Sequence, residues 1–336
     1  MALYGLWLSL IGSGRTLASR PLSERLLKLT EGGADDGLRL QAHHSAWTTC
    51  LFAGEPAAAR AHSEAGRRLY DAERHRAHRL LYGGHDPGVC AGYLGALAYW
   101  APGYPDRALE IGSEALALAE RIAHPFSLEI AQLFIAVLHL DRYEPELALQ
   151  RLAIAEALAA EQRLAFLMEP RFLRGAALTM QGAFDEAVAC LQEGLAGGVG
   201  AMLFRPYGLA RLAEALARLG QHGAALVAAR EGLQAQKETG QGWWDAELHR
   251  LEGLALVGLN RIEEGQSALN EALHIARRQQ AKSYELRAVT NLARLWSEQG
   301  RRAEARELLA PIYGWFTEGF NTADLKDAAK LLSELA

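Results

Sequence analysis

Residues 243–279, WWDAELHRLEGLALVGLNRIEEGQSALNEALHIARRQ, and residues 283–316, SYELRAVTNLARLWSEQGRRAEARELLAPIYGWF, carry one pattern written twice. In the first, an apolar run at helical spacing holds Gly253, breaks at Asn260 and resumes with Gly265 and Ala272. In the second, Ala293, Gly300 and Ala305 each stand 40 residues after Gly253, Asn260 and Gly265. Two runs of helical period around a turn residue predict a helical hairpin. Small side chains at fixed places on both helices let the two backbones approach closely.

Outward from this pair, the turn recurs at Gly14, Gly54, Gly103, Tyr143, Gly182, Gly220, Asn260 and Gly300, at spacings of 40, 49, 40, 39, 38, 40 and 40 residues. Five residues after each stands a small side chain: Ser19, Ala59, Ala108, Ala148, Ala187, Ala225, Gly265 and Ala305. Twelve before the later of these come Ala96, Ala136, Gly175, Ala213, Gly253 and Ala293, and seven after most come Gly66, Ala115, Ala155, Gly194, Gly232 and Ala272. One period with one insertion predicts a single stack of antiparallel hairpins over about 2–30, 36–70, 87–122, 125–162, 165–196, 203–238, 243–279 and 283–316. The insertion is 71–86, after which Asp86 and Pro87 read as the cap and first position of the next helix. TEGGADDG is a loop by composition. A last helix over 322–335, capped by Asn321 or Thr322, covers the end of the stack.

Half of the 336 residues are hydrophobic and 8% aromatic, with 33 Gly and 10 Pro, which suits packed helices with small residues at their contacts. Repeat arrays grow without closing one core, so length does not set the number of domains. The net charge of −5 offers no broad positive field, so neither nucleic acid nor a membrane is expected as partner. Cys50, Cys90 and Cys190 are odd in number and far apart, giving no disulfide framework, and a cytoplasmic location is expected. MALYGLWLSLIGSG lacks a basic region and an apolar run long enough to span a bilayer, and reads as a helix of the array. Leu3, Leu6 and Leu10 on it are expected to be partly uncovered, implying self-association or a neighbour there.

The pattern of small, turn, small, small, best seen in QGAFDEAV, RLGQHGAAL, LNRIEEGQSAL and EQGRRAEAREL, resembles the tetratricopeptide repeat (TPR), a helix, turn and helix in 34 residues. The units here are about six residues longer, and the usual closing Pro is largely absent. The stretches LYGGHDPGVCAGYLGALAYWAPGYPDRAL, GQGWWDAELHRLEG and GRRAEARELLAPIYGWFTEGFNTADLKDA resemble the C-terminal arrays of bacterial multidomain proteins that join an adenylate cyclase domain to an ATPase domain. The resemblance implies an all-α, TPR-like α-solenoid of about eight hairpins, wound as a right-handed superhelix and closed by a C-terminal capping helix. It further implies a cytoplasmic interaction module with a protein or peptide partner, the cyclase or ATPase domain among the candidates, or with a small-molecule effector. Catalytic labels do not carry over: there is no GxxxxGK[ST], and GSGRT at 12–16 lacks the Lys that would reach a phosphate.

In TPR arrays the first helix of each hairpin lines the concave groove. Carried over position by position, this places Tyr93, Trp100, Phe172, Tyr207, Glu214, Glu247, Arg250, Arg287 and Arg294 facing outward into the groove. Arg250, Arg287 and Arg294 then suit a carboxylate or phosphate of a partner. The other reading is a solvated face, with Arg294 pairing to Glu298 four residues on. Trp243, Trp244, Glu247, Arg250 and Tyr284 form an aromatic and charged group that is either an aromatic pocket or packing between repeats, and helical spacing accounts for the packing. His75, His78, His85, Asp86 and Cys90 crowd the insertion. Their spacing is not that of paired zinc ligands, so no metal and no cofactor is expected, and His85 and Asp86 are assigned to helix ends. No HExxH, GxSxG or strand-borne GxGxxG occurs, and an enzyme is not expected.

Overall fold

The computed structural model describes residues 1–33, 35–197 and 201–336, and among these it contains eighteen helices and no strand. Ala34, inside the TEGGADDG stretch, lies outside the described residues. The chain folds as an all-α, TPR-like solenoid. Its hairpins pair α1 (Ala2–Gly12) with α2 (Thr16–Thr30) and α3 (Asp36–Phe52) with α4 (Pro56–Leu69). After α5 (His78–Leu81), a short helix inside the insertion, α6 (Pro87–Trp100) pairs with α7 (Pro105–Ile122) and α8 (Pro125–Asp141) with α9 (Pro145–Gln162). Then come α10 (Pro170–Met180) with α11 (Phe184–Ala196), α12 (Ala201–Arg218) with α13 (His222–Thr239), α14 (Asp245–Gly258) with α15 (Ile262–Arg278) and α16 (Lys282–Glu298) with α17 (Arg302–Tyr313). The last helix is α18 (Ala323–Glu334).

Local chemistry sets the helix starts. Helices α4, α6, α7, α8, α9 and α10 begin with proline, whose fixed φ suits a first turn and whose missing N–H would be unpaired there anyway. Asp86 caps α6, its Oδ1 accepting from the backbone N–H of Gly88 and Val89. Thr322 precedes α18 but makes no side-chain cap bond; its hydroxyl donates to the Gly319 carbonyl instead.

The recurring small residues sit where the helices cross. Ala96, Ala108, Ala136, Ala155, Ala187, Ala213, Ala225, Ala272, Ala293 and Ala305 are all wholly buried. In the α14–α15 hairpin a Cβ on Gly253 would lie 2.7 Å from Leu269 Cγ and 3.0 Å from the Gly265 carbonyl oxygen. Gly253→Leu is therefore expected to lower unfolding stability by about 1–3 kcal/mol through overpacking, read from the urea midpoint. An unchanged midpoint would detach these small residues from the helix crossing.

The hairpins coil so tightly that the turn of one hairpin meets the hairpin five places later. The Phe52 carbonyl, at the second turn, accepts from the Gly242 N–H at 2.8 Å, just before α14. The Ala101 carbonyl, at the third turn, accepts from the Ser283 N–H at 3.0 Å, and the Ser283 hydroxyl donates to the Trp100 carbonyl at 2.6 Å. Gly54 has φ +77°, and a Cβ there would fall 2.7 Å from the Gly242 carbonyl oxygen, so this turn needs glycine for both its conformation and its neighbour. Between the facing walls runs an aromatic seam. Tyr93 stacks on Phe134 at 4.7 Å, Phe134 meets Phe204 at 5.9 Å, Phe52 meets Phe204 at 5.7 Å and Trp243 at 5.4 Å, and Trp100 meets Tyr284 at 5.2 Å. The chain exposes 13974 Å². A compact monomer of its mass exposes about 13,500 Å², so little inner wall is left open.

This corrects one expectation. The concave face is a packed interior along most of its length, because facing turns of the coil touch. At the other end of the sequence α1 leaves Leu6 exposed and Leu3 and Leu10 half-buried. No helix among the described residues is long and apolar enough to cross a membrane.

Candidate functional site

The coil leaves an opening on the side of α8, α12, α14, α16 and α18. A cleft of about 740 Å³ is lined there by residues that include Tyr143, Glu214, Arg218, Arg250, Asn291 and Asp324. A second hollow of about 400 Å³ adjoins it and shares Tyr143, Glu214 and Arg218. Helix α18 thus does more than cover the stack. It buries Leu325, Ala328 and Leu331 and at the same time brings Asp324 and Asp327 to the cleft.

The floor of the cleft is a closed set of charges from five helices. Arg250 grips Glu247 at two points, Nε to Oε2 at 2.9 Å and NH2 to Oε1 at 2.6 Å, and donates through NH1 to Asn291 Oδ1 at 2.9 Å. Arg211 donates to Asp141 Oδ1 at 2.8 Å and to Glu214 Oε2 at 3.3 Å, with its guanidinium 4.9 Å from the Tyr207 ring centre. Arg287 donates to Asp324 Oδ2 at 2.9 Å and to the Asp141 carbonyl at 2.7 Å, and lies between the rings of Trp100 and Tyr143 at 5.1 and 5.0 Å. Burial alone would raise the Glu247 carboxyl, but Arg250, Arg287 and Arg211 hold it down to about 2. Asp141 goes the other way: burial pushes it up to about 6 despite Arg211 and Arg287. Burial also raises Asp324 above the usual carboxylate range. The network therefore gives each of its arginines at least one carboxylate partner and fixes the cleft in shape, although Arg211 Nε and Arg287 Nη1 make no hydrogen bond among the described residues.

The sequence-predicted groove residues fall into three groups. Tyr93, Trp100, Phe172 and Tyr207 face the interior and are at most 3% exposed. Their expected outward orientation is corrected: Trp100 packs on Tyr284 across the coil, while Tyr93 packs on Phe134, Phe172 against Gly194 and Gly208, and Tyr207 on Trp244, within a hairpin or between consecutive ones. Glu214, Glu247, Arg250 and Arg287 do come together, but as mutually neutralising partners rather than a free guanidinium surface. Arg294 stands half-exposed at the rim and pairs with Asp327 of α18, not with Glu298. Of the aromatic group, Trp243 stacks on Trp244 at 5.0 Å, and Trp244 packs on Tyr207 at 4.8 Å and Tyr284 at 6.2 Å. These rings pack, between repeats and across the coil.

Three cleft residues escaped the sequence reading. Arg218 is exposed at the mouth and makes no ion pair among the described residues. Asn291 has its carbonyl oxygen held by Arg250, which leaves its NH₂ free to donate into the cleft. Tyr143 is the third. At the eight interhelical turns six residues are Gly and one is Asn, yet here a tyrosine keeps φ at +59°. A bulky side chain in that region costs about 1–3 kcal/mol. Its hydroxyl lies 3.5 Å from Glu214 Oε1, and burial raises its pKa. The signal was present in the list of turns as the one large residue.

No known family model matches the sequence. An uncharacterized protein of Rhizobium meliloti (strain 1021) is 27% identical over 281 residues, covering 79% of this chain. The chain spans only 26% of that relative's length. Among solved structures, it is similar to the Rap conjugation gene regulator of plasmid pLS20 in complex with the Phr* peptide, with TM-score 0.60 and 12% identity over 99% of this chain and 95% of that one. It is also similar to a Rap protein complexed with competence and sporulation factor, with TM-score 0.58 and 11% identity over 99% and 96%. NprR in complex with its cognate peptide NprX gives TM-score 0.55 and 12% identity over 99% and 98%. At these identities the likeness is one of fold.

Proposed function

We propose that this chain is a non-catalytic recognition module that holds a peptide segment of a partner in the cleft between α8 and α18. The observation that carries this reading is Tyr143, a bulky side chain held at φ +59° where it borders both hollows. Asn291 supplies a donor for a backbone carbonyl, Arg218 a charge for a carboxylate, and Leu251, Leu254 and Val257 an apolar wall. The buried charge network keeps these groups in place before the partner arrives, which lowers the ordering cost of binding. The fold likeness to Rap and NprR structures solved with peptides supports the same reading.

Selection of a displayed library of linear peptides on the folded chain tests it. Enriched peptides are expected to bind Tyr143→Asn and Asn291→Ala at least about tenfold more weakly than wild type, the effect of about 1.4 kcal/mol in lost contacts. Asn already holds the same conformation at Asn260, φ +60°, so Tyr143→Asn leaves the turn intact. Peptides that bind all three proteins alike would move the site elsewhere.

A second reading, a small-molecule effector site, draws on the cleft's 740 Å³, which falls in the usual range for such ligands. A metabolite that raises the melting temperature of wild type and not of Tyr143→Asn would favour it. The chain spans only 26% of its relative, and the sequence resembles cyclase- and ATPase-linked arrays, so a cyclase or ATPase domain is the first partner to test. Self-association through exposed Leu6 and its neighbours on α1 belongs to the same proposal. Sedimentation that stays monomeric at high concentration would remove it.

A further inference from the structure

Two histidines and a cysteine far apart in sequence converge near the insertion. His44 lies on α3, His85 immediately before α6, and Cys90 in the first turn of α6, and all three are buried. One ligand atom from each lies within 4.8 Å of the others. The two imidazole Nε2 atoms are 3.2 Å apart, with the rings at 85° to each other.

The outer hydrogen bonds decide what that point accepts. His85 Nδ1 is 3.2 Å from the Gly83 carbonyl oxygen, which can only accept, so Nδ1 carries the proton and Nε2 presents a lone pair. His44 Nδ1 lies 3.1 Å from Gln41 Oε1 and 2.9 Å from the Tyr4 hydroxyl. Gln41 turns its Nε2 toward His78 Nδ1 at 2.8 Å and so its oxygen toward His44. A Tyr4 hydroxyl that donates would put the His44 proton on Nε2 and make the contact with His85 a hydrogen bond, whereas with the Tyr4 hydroxyl accepting, as metal binding requires, His44 Nδ1 is the donor. His44 Nε2 is then a lone pair too. Two lone pairs opposed at 3.2 Å repel unless a cation lies between them, and imidazoles whose second nitrogen donates to a carbonyl or amide oxygen are arranged as metal ligands are.

We propose that His44, His85 and Cys90 form a metal site for a borderline-soft divalent ion, Zn²⁺ being the fit for two imidazoles and a thiolate. The thiolate and the neighbouring Asp86 carboxylate balance the ion's two charges. The carboxylate is itself fixed by the α6 N-terminus and by the Tyr70 hydroxyl at 3.0 Å. Three protein ligands hold the ion, one fewer than a closed structural site has. The site pins the insertion, which lengthens this one period to 49 residues among neighbours of 38 to 40, between α1, which supplies Tyr4, and α3 and α6. Of the five residues weighed from sequence, His85 and Cys90 belong to it, while His75 accepts from the Asp71 N–H at 3.0 Å and His78 orients Gln41.

Metal content and cobalt spectroscopy of the full chain, purified without chelators, test the assignment. The expected result is stoichiometric zinc, and, after exchange with Co²⁺, a thiolate-to-cobalt charge-transfer band. Cys90→Ser is expected to lose the band and more than about 100-fold in Zn²⁺ affinity, beyond the loss of an outer partner, while Cys190→Ser, a free thiol on α11 away from the site, behaves as wild type. No metal above the buffer level and no band in wild type with added Co²⁺ would overturn the proposal without reliance on any variant. So would Cys90→Ser binding Zn²⁺ as tightly as wild type.

Discussion

Arg211→Met is expected to destabilise the fold by about 3–5 kcal/mol, the loss that follows when one partner of a buried ion pair is removed. Arg211 is 2% exposed and its partner Asp141 is wholly buried, with Asp141 Oδ2 already lacking a partner among the described residues. Taking away the guanidinium strands a carboxylate that water cannot reach. The double variant Arg211→Met with Asp141→Leu removes both charges, and is expected to recover most of the loss, because a buried pair replaced by apolar groups of similar size is often neutral. Methionine keeps an apolar contact to Tyr207 and Trp244, whose rings lie 4.9 and 5.5 Å from the guanidinium. Urea titrations of the two variants and wild type give the comparison. A single variant as stable as wild type would mean that the network does not hold the cleft in shape.

Glu129→Gln is expected to stabilise the protein at alkaline pH and to leave it unchanged in acid. Glu129 on α8 is wholly buried, and both its carboxylate oxygens lack partners among the described residues. Burial pushes its pKa from 4.5 up to about 8. Below pH 4.5 the carboxyl is protonated in both the folded and the unfolded chain, so it contributes no difference. Between 4.5 and 8 the unfolded chain ionises first and stability falls as pH rises; above 8 the loss is complete. Integrated over that window the cost is about 5 kcal/mol. Glutamine has the shape of the neutral acid and no charge to desolvate, so the variant's urea midpoint should exceed that of wild type at pH 8.5 and match it at pH 4.5. Parallel pH profiles for the two proteins would show that Glu129 is solvated or paired.

The hairpins were legible because their determinants are local. Gly253 and Gly265 recur as Ala293 and Ala305 at a fixed step, and each reports a crossing within its own hairpin. The closure of the coil was not legible. It arises from small rotations added over five hairpins, and only the glycines at positions such as Gly54 and Gly242, where a Cβ would meet the facing turn, carry a trace of it. The same distance explains the site. Arg250 and Arg287 stood out in sequence, but Arg287's partners Asp324 and Asp141 are 37 and 146 residues away, beyond any i, i+4 rule, so paired arginines read as free ones. His44 was missed for a like reason, being 41 residues from His85.

Small-angle X-ray scattering of the chain in solution tests most directly whether the inner walls close on each other and confine recognition to the cleft. A closed coil of 336 residues should give a radius of gyration of about 20 Å and a single-peaked distance distribution. A markedly larger radius with the long tail of an open spiral would contradict it, and would open the cross-coil contacts of Trp100 with Tyr284 and of Phe52 with Phe204 and Trp243 into an accessible groove.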